Sequence, residues 1–211
     1  MPKVFIEKNR SKLIELVESN SLGTLVVSSA GEYDVNHLPF LVESPDAGGI
    51  RLRAHLPKAN PLCSLVEGAE KCVVIFNGAD GYITPSWYAT KKVHGKVVPT
   101  WNYSVVHMHG IMKIIDDSRW IYSQLTDLTN KNEKSRKESW KVTDAPADYI
   151  ESQLKALVGL EIVVDRIEGK IKASQNQPRE NKETILSALK SEQPDVALSK
   201  MMEPELNSGV S

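Results

Sequence analysis

Alternating apolar and polar positions run through much of the chain and predict a β-rich fold. Segments such as GTLVVSS and IRLRAHL place every second side chain on one face, which is the period of a half-buried strand. Turn residues at 30–32 and 44–49 separate the first three segments, so we predict an antiparallel meander. The predicted strands are 23–29, 33–43, 50–56, 72–78, 82–84, 160–167 and, after a tight turn at Glu168-Gly169, 170–175, and one long strand or a bent pair of strands is predicted over 100–115.

Apolar residues at helical spacing predict helices around these strands. Leu13, Ile14, Leu16 and Val17 follow this spacing in a helix over 8–19 that ends by Asn20. Further helices are predicted from Asn60 to Val66, over 116–130, from Asp148 to Val158, and after Pro178. Helices and strands interleave too irregularly for parallel βαβ units. We therefore expect an α+β, mainly β fold, an antiparallel barrel of about six or seven strands with peripheral helices. Without a repeat or linker, residues 1–211 are expected to form a single domain with a C-terminal helical extension.

Composition places the chain among ordinary globular proteins and excludes several classes. Hydrophobic residues make up 41% and charged residues 25%, which argues against disorder. The net charge of -1 gives no general attraction to nucleic acid or to anionic lipid. The sequence shows neither a signal-peptide pattern nor a long apolar run, so we expect a cytoplasmic protein that does not span a membrane. Cys63 and Cys72 lie in apolar settings and are expected to be buried thiols.

The first segment with candidate chemistry is cationic, RLRAHLPKANPL at 51–62. Alternation puts Arg53 and His55 on one side of a strand, and Lys58 and Asn60 follow at the start of a helix. Free N–H groups at a helix start, together with a lysine, favour a phosphate. The same pattern is also typical of a solvated strand edge with ordinary surface charge.

The second segment is GYITPSWYATKKVHGKVVPTWNY at 81–103, which is rich in aromatic and basic residues. Pro85 and Pro99 bound a run that suits a long, shaped loop better than a core strand. Aromatic faces with polar neighbours suit a planar heterocycle, but such loops also pack against their own barrel or a partner subunit.

The third segment is KASQN at 172–176. On a strand, Lys172, Ser174 and Asn176 would project from one face and Gln175 from the other. Alone, this pattern equally fits an exposed edge strand.

His107 and His109 would share one face of a strand, a spacing that metal sites use. A metal needs a third ligand, and none is evident nearby on that face. We expect these imidazoles to form hydrogen bonds instead, and no metal site is predicted.

Missing motifs exclude further classes of protein. The chain has no GxGxxG after a strand, no P-loop and no GxSxG elbow, so dinucleotide-fold dehydrogenases, P-loop NTPases and serine hydrolases are not indicated. No helix-turn-helix is evident, and the basic loop at 91–96 is short. Direct DNA binding is therefore doubtful.

Five phrases taken in order, RAHLPKANP, GYITPSWY, VPTWNY, VHMHG and KIKASQNQP, resemble the PaiB family of FMN-binding proteins. The resemblance extends from the first helix to about residue 190. It implies the FMN-binding split barrel, in which two subunits form a homodimer and FMN lies in a cleft between them. It also marks one departure, because Ala173 stands where a bulkier residue is usual.

The resemblance assigns roles to residues of the cationic, aromatic and C-terminal segments. The implied phosphate site is Arg53, His55, Lys58 and Asn60. The implied neighbours of the flavin ring and ribityl chain are Ser86, Trp87, Tyr88, Thr100, Trp101, Asn102, Lys172 and Gln175. Of these, Thr100, Trp101 and Asn102 are expected from the partner chain or the cleft wall.

Two functions follow from the resemblance. The first is a flavin-dependent oxidoreductase or redox-responsive protein, for which no catalytic residue is evident. The alternative is an FMN-binding transcriptional regulator, a negative regulator of sporulation and protease genes, that acts as a sensor without turnover. Haem or pyridoxal phosphate chemistry, known among related split barrels, is a third possibility.

Overall fold

The computed structural model describes residues 2–29, 31–44, 49–66, 68–192 and 196–207. The strands are β1 (Ile6–Glu7), β2 (Leu22–Ser29), β3 (Glu32–Pro39), β4 (Leu41–Glu43), β5 (Ile50–Pro57), β6 (Ala69–Ile83), β7 (Thr100–Ile115) and β8 (Leu157–Lys172). The α-helices are α1 (Arg10–Ser19), α2 (Leu62–Leu65), α3 (Lys91–His94), α4 (Ser118–Glu133), α5 (Ala147–Lys155), α6 (Arg179–Ser191) and α7 (Val196–Asn207). Short 3-10 turns occur at Lys3–Phe5, Pro85–Trp87 and Val142–Asp144.

Hydrogen bonds join the strands in the order β3-β2-β6-β7-β8-β5-β4, and β1 pairs with β8. The pairs with a defined register are antiparallel; Leu25 faces Asn36 across β2 and β3, and Ala54 faces Leu160 across β5 and β8. This arrangement confirms the predicted antiparallel, mainly β fold. Strands of antiparallel sheets commonly bury one face and expose the other, so the alternation of apolar and polar residues in the sequence correctly indicated the strands.

The chain divides into two compact units. The first unit contains Met1–Leu13, Asn77–Val106 and Glu168–Ser211, and the second contains Ile14–Phe76 and His107–Ile167. Helices α6 and α7 supply much of the buried cluster of the first unit. In the second unit, Phe40 and Phe76 pack edge to face with ring centroids 5.8 Å apart. The expectation of a single domain stays a prediction.

Strand β5 shows how the sequence builds the second unit. Its apolar residues Leu52, Ala54 and Leu56 are buried in the core, and the alternate positions Arg53 and His55 face the other way. Helix α4 contacts this strand. Its N-cap is Asp117, whose Oδ1 accepts hydrogen bonds from Arg119 N and Trp120 N.

Two pairs of predicted strands are in fact single long strands. The predicted strands 72–78 and 82–84 are joined in β6, and the predicted turn at Glu168-Gly169 lies inside β8. At Gly169 a Cβ would lie 2.1 Å from Leu13 Cδ2, and at Gly81 one would lie 2.5 Å from Leu198 Cδ2. These glycines therefore permit close packing and do not form turns.

Most predicted helices are present, with differences at their ends. The predicted helix from Asn60 to Val66 is the single turn α2, and the one from Asp148 to Val158 ends earlier, at Lys155. Helix α7 was not predicted. Of the predicted turn 44–49, residues 45–48 lie outside the described ranges. None of the helices in those ranges combines the length and apolar composition that crossing a lipid bilayer requires; the cytoplasmic location stays a prediction.

Candidate functional site

A cavity of about 440 Å³ lies within the first unit. Residues of three sequence motifs meet at its wall. Tyr88 comes from the PSWY segment, Thr100 and Asn102 from the start of β7, and Lys172 and Ser174 from the end of β8 and the turn that follows. The cavity thus gathers Tyr88, Thr100, Asn102 and Lys172, which the resemblance assigns to the flavin ring and ribityl chain, together with Ser174, which it does not assign.

Asn102 holds two of these segments together inside the unit. Its side chain is fully buried, and its Nδ2 donates to Ser174 Oγ at 2.9 Å and to Met202 Sδ at 3.4 Å. Ser174 adopts a left-handed backbone conformation, with φ at 57°, which is unusual for a residue with a side chain. Asn102 is therefore a structural support of the cavity as well as part of its wall.

Gln175 is a brace of the turn after β8. Its Oε1 accepts from Ala173 N at 2.7 Å, and its Nε2 donates to Ile171 O at 2.6 Å and to Val4 O at 3.3 Å. Gln175 is absent from the cavity wall, whereas Lys172 and Ser174 belong to it. Gln175 thus lies on the other side of the chain from Lys172 and Ser174, as predicted. The residues after Lys172 form a turn, however, and not a strand.

Thr90 and Asn181 form a second support that sequence analysis missed. Thr90 N donates to Asn181 Oδ1 at 3.1 Å, and Asn181 Nδ2 donates to Thr90 Oγ1 at 3.0 Å. Both residues are buried and line the cavity. Because 91 positions separate them, no local pattern in the sequence indicates this pair.

The cavity wall carries cations and no carboxylate among the residues that the structure describes. Lys172 and Lys96 line it, together with His94. His94 Nδ1 accepts from Lys96 N at 3.0 Å, so the neutral imidazole carries its proton on Nε2. Phe5, Val97 and Pro99 supply apolar wall, and Phe5 was another residue missed from the sequence. An organic molecule with acceptor or anionic groups fits this environment.

Tyr88 keeps a neutral hydroxyl in this wall. Burial raises the pKa of the Tyr88 phenol above its ordinary value. The side chain is almost fully buried and belongs to the core cluster of the first unit. At neutral pH it can therefore donate or accept a hydrogen bond but supplies no charge.

Three residues expected near the ring lie in the first unit but outside the cavity wall. Ser86 Oγ accepts from Lys91 Nζ at 3.4 Å, and Trp87 Nε1 donates to Glu192 Oε2 at 2.9 Å. Trp101 is 54% exposed. It packs edge to face against Tyr82, with ring centroids 6.2 Å apart.

The predicted phosphate residues lie in the second unit, and Arg53 among them is neutralised by neighbours. Its Nη2 lies 2.5 Å from Glu43 Oε1 and 2.6 Å from Asp127 Oδ2. Its guanidinium also lies 5.7 Å from the ring centroid of Trp120. Two carboxylates therefore compensate this charge.

His55 contacts the same helix α4 through Gln124. His55 Nδ1 lies 2.8 Å from Gln124 Oε1, an arrangement in which the imidazole donates. Two buried donors here, Arg53 Nε and Gln124 Nε2, have no acceptor among the described residues. Such donors fit a group with acceptor oxygens.

Lys58 and Asn60 follow β5, as predicted. Lys58 Nζ pairs with Asp116 Oδ1 at 2.7 Å, and Asp116 is largely exposed. The expected free amides at the helix start are not present, because Leu62 N is bonded to Asn60 Oδ1 at 2.9 Å and Cys63 N to Asn60 O at 3.0 Å. Asn60 thus supplies the hydrogen-bond acceptors for these two backbone amides.

His107 and His109 lie two apart on β7 in the second unit, and both are half-buried. Their ring centroids are 6.4 Å apart in an edge-to-face arrangement. The shared face predicted from the alternation is therefore present.

Comparison with known proteins identifies the family. Residues 1–166 match the family described as "Putative FMN-binding domain". The chain belongs to this family. The C-terminal segment that carries Lys172 and Ser174 lies beyond the matched range.

Relatives and solved structures agree with this assignment. The chain is 30% identical over 212 residues to the Bacillus subtilis protease synthase and sporulation protein PAI 2, covering 100% of this chain and 99% of that protein. The FAD and heme binding protein from Mycobacterium smegmatis has a TM-score of 0.58 at 18% identity, covering 79% of this chain and 73% of that one. The flavocytochrome Anf3 from Azotobacter vinelandii also has a TM-score of 0.58, at 14% identity, covering 82% and 72%. The resemblance to PaiB proteins and the flavin-binding split-barrel fold are confirmed.

The residues present fit a flavin. The cavity volume lies in the range of about 300–1,000 Å³ that small-molecule sites occupy. Its wall combines apolar groups for a ring with donors for carbonyl and hydroxyl oxygens, and no acidic group opposes an anionic ligand.

Proposed function

We propose that this chain is an FMN-dependent oxidoreductase or redox-responsive protein, with the flavin ring in the cavity of the first unit. The observation that carries the proposal is the convergence of Tyr88, Thr100 and Lys172 on one cavity. These residues come from three separate motifs of a chain in the FMN-binding domain family. Bound FMN would supply hydride or electron transfer.

The chain's own residues would bind and orient the cofactor. Thr100 Oγ1 accepts a hydrogen bond from Lys172, so the Thr100 hydroxyl keeps its own proton to donate. Asn102 and Gln175 would act as supports, since their polar atoms are already bonded within the unit. No described side chain is required to move a proton.

For the phosphate, we propose the corner that follows β5, with Lys58 as its cation. Arg53, His55 and Asn60 would shape this corner, because their side chains are already bonded to Asp127, Gln124 and Leu62 N. The ammonium of Lys58 supports the assignment, because its partner is the largely exposed carboxylate of Asp116. Lys58→Ala should weaken FMN binding by about 1–3 kcal/mol, the contribution of a charge-assisted hydrogen bond. Lys137→Ala, at an exposed position of the same unit, is the matched control.

The measurement for the phosphate site is a fluorescence titration with FMN and with riboflavin, which lacks the phosphate. Lys58→Ala should reduce FMN affinity and leave riboflavin affinity unchanged. Equal FMN affinity in wild type and Lys58→Ala would show that the phosphate lies elsewhere.

Redox activity is tested by anaerobic mixing of the FMN-loaded protein with NADH or NADPH. Bleaching of the flavin absorption band is expected with one of the two donors. No bleaching with either would contradict the oxidoreductase assignment, while FMN binding itself would stand.

We also propose that the protein is a homodimer. The exposed aromatic pair Tyr82 and Trp101 supports this, because aromatic side chains are enriched at subunit interfaces. Sedimentation should give a mass of twice the 23.4 kDa chain. Trp101→Ser should shift it toward the monomer, and a wild-type monomer would contradict the proposal.

The second candidate function is a regulator, favoured by the full-length similarity to PAI 2, whose name refers to protease synthesis and sporulation. Direct DNA binding stays doubtful at a net charge of -1. A gel-shift assay at low salt with promoter fragments of protease genes separates the two functions. A sequence-dependent shift would support the regulator, and no shift at low salt would exclude direct binding.

A further inference from the structure

Lys172 differs from Arg53, Lys58 and Lys113 in having no carboxylate partner among the described residues, a property that it shares with Lys96 on the same cavity wall. Arg53 pairs with two carboxylates, Lys58 with Asp116 and Lys113 with Glu161. Among the residues that the structure describes, Lys172 makes no ion pair. Its ammonium donates to a neutral hydroxyl, Thr100 Oγ1, and its Nζ lies 6.0 Å from the ring centroid of Phe5. The charge is thus held in place without being compensated.

The surroundings of Lys172 strengthen its field. The residue is half-buried and lines a cavity whose described wall contains no carboxylate. Charges in a partly buried, low-dielectric site interact several-fold more strongly than charges in water. A molecule that becomes negative inside this cavity is therefore bound more tightly after the change than before it.

Hydride transfer onto a flavin adds two electrons and one proton, which leaves one negative charge on the ring. The hydride comes from a reduced nicotinamide, which leaves as the oxidised cation, so electrons and charge balance. We propose that Lys172 is a redox-tuning residue, which binds reduced flavin in preference to oxidised flavin and thereby raises the reduction potential of the bound cofactor. This inference rests on the proposed function, because it needs the flavin in the cavity of the first unit.

Lys172→Met is the test, since methionine keeps the length of the side chain and removes the charge. Lys172→Arg restores the charge. Lys170→Met is the matched control: it lies two residues away on the same strand, removes the same charge, and does not line the cavity. Circular dichroism and urea unfolding of each variant establish that it is folded.

Two quantities are measured, the FMN affinity of the oxidised protein and the midpoint potential of bound FMN by spectroelectrochemical titration. Lys172→Met should lower the potential by about 30 mV, which for a two-electron couple is a tenfold selective loss of affinity for the reduced form. Lys172→Arg and Lys170→Met should stay within about 10 mV of wild type, a factor of about two.

The outcomes separate this inference from the proposed function. A potential that is unchanged in Lys172→Met, or an equal loss of affinity in both redox states, would overturn the tuning role while FMN binding stands. Failure of the wild-type protein to bind FMN would overturn the proposed function, and the tuning role with it. An equal shift in Lys170→Met would show a general charge effect and would also contradict the inference.

Discussion

Replacing Gln175 by alanine tests whether the turn after β8 is held by this side chain or whether the side chain contacts the ligand. In the structure, Gln175 bonds to Ala173 N, Ile171 O and Val4 O, and Ala173 is fully buried. Gln175→Ala leaves a buried donor and a buried acceptor without partners. The resemblance instead implies a contact with the flavin, so the two views predict different results.

The magnitude follows from the two shorter bonds, at 2.7 Å and 2.6 Å. Each unpaired buried group costs about 1–3 kcal/mol, so the free energy of unfolding should fall by about 3 kcal/mol. For a chain of this size, that loss lowers the melting temperature by about 6–12 °C. Gln153→Ala, at an exposed position of α5, should change the free energy of unfolding by less than about 0.5 kcal/mol.

The assay is urea unfolding at 25 °C together with an FMN titration of the folded variant. We expect lower stability with nearly unchanged FMN affinity. Unaltered stability together with weakened FMN binding would refute the reasoning and would make Gln175 a ligand contact.

Two further predictions concern buried positions outside the cavity. Burial, aided by the charge of Asp165, raises the pKa of Cys72 from 9.0 to about 12, so the folded state loses stability as pH rises above 9, by about 1.4 kcal/mol per pH unit. Urea titrations of Cys72→Ala between pH 9 and about 11 should show a flatter profile, and a slope equal to that of wild type would contradict the assignment. Gly169→Ala places a Cβ 2.1 Å from Leu13 Cδ2 and should cost about 1–3 kcal/mol. The Leu13→Ala background should relieve part of this cost in a double-mutant cycle, and simple additivity would refute the proposed overlap.

The strands were largely predictable because burial acts on every second residue. Leu52, Ala54 and Leu56 are buried as the alternation of β5 requires, and Thr100–Ile115 forms one strand, which is one of the two alternatives predicted for that segment. The continuity of β6 and β8 was not predictable. Glycines usually indicate turns, and only the packing of Leu198 and Leu13 from distant segments shows why small residues occupy these strands.

The candidate site was predictable only through its motifs. Lys172 and Ser174 were expected to share a face, and both line the cavity. The pair Thr90 and Asn181 carries no local signal, because each is an ordinary polar residue until the fold brings them together. The anion site expected at the start of α2 failed in one detail, since Asn60 occupies the amides that would have bound the ligand.

FMN binding by the purified protein tests the central claim most directly. A titration followed by flavin fluorescence, with riboflavin and FAD in parallel, measures affinity and stoichiometry together. We predict one FMN per chain, with tighter binding of FMN than of riboflavin or FAD. Saturation with FAD but not FMN, or no quenching of any flavin, would contradict the account.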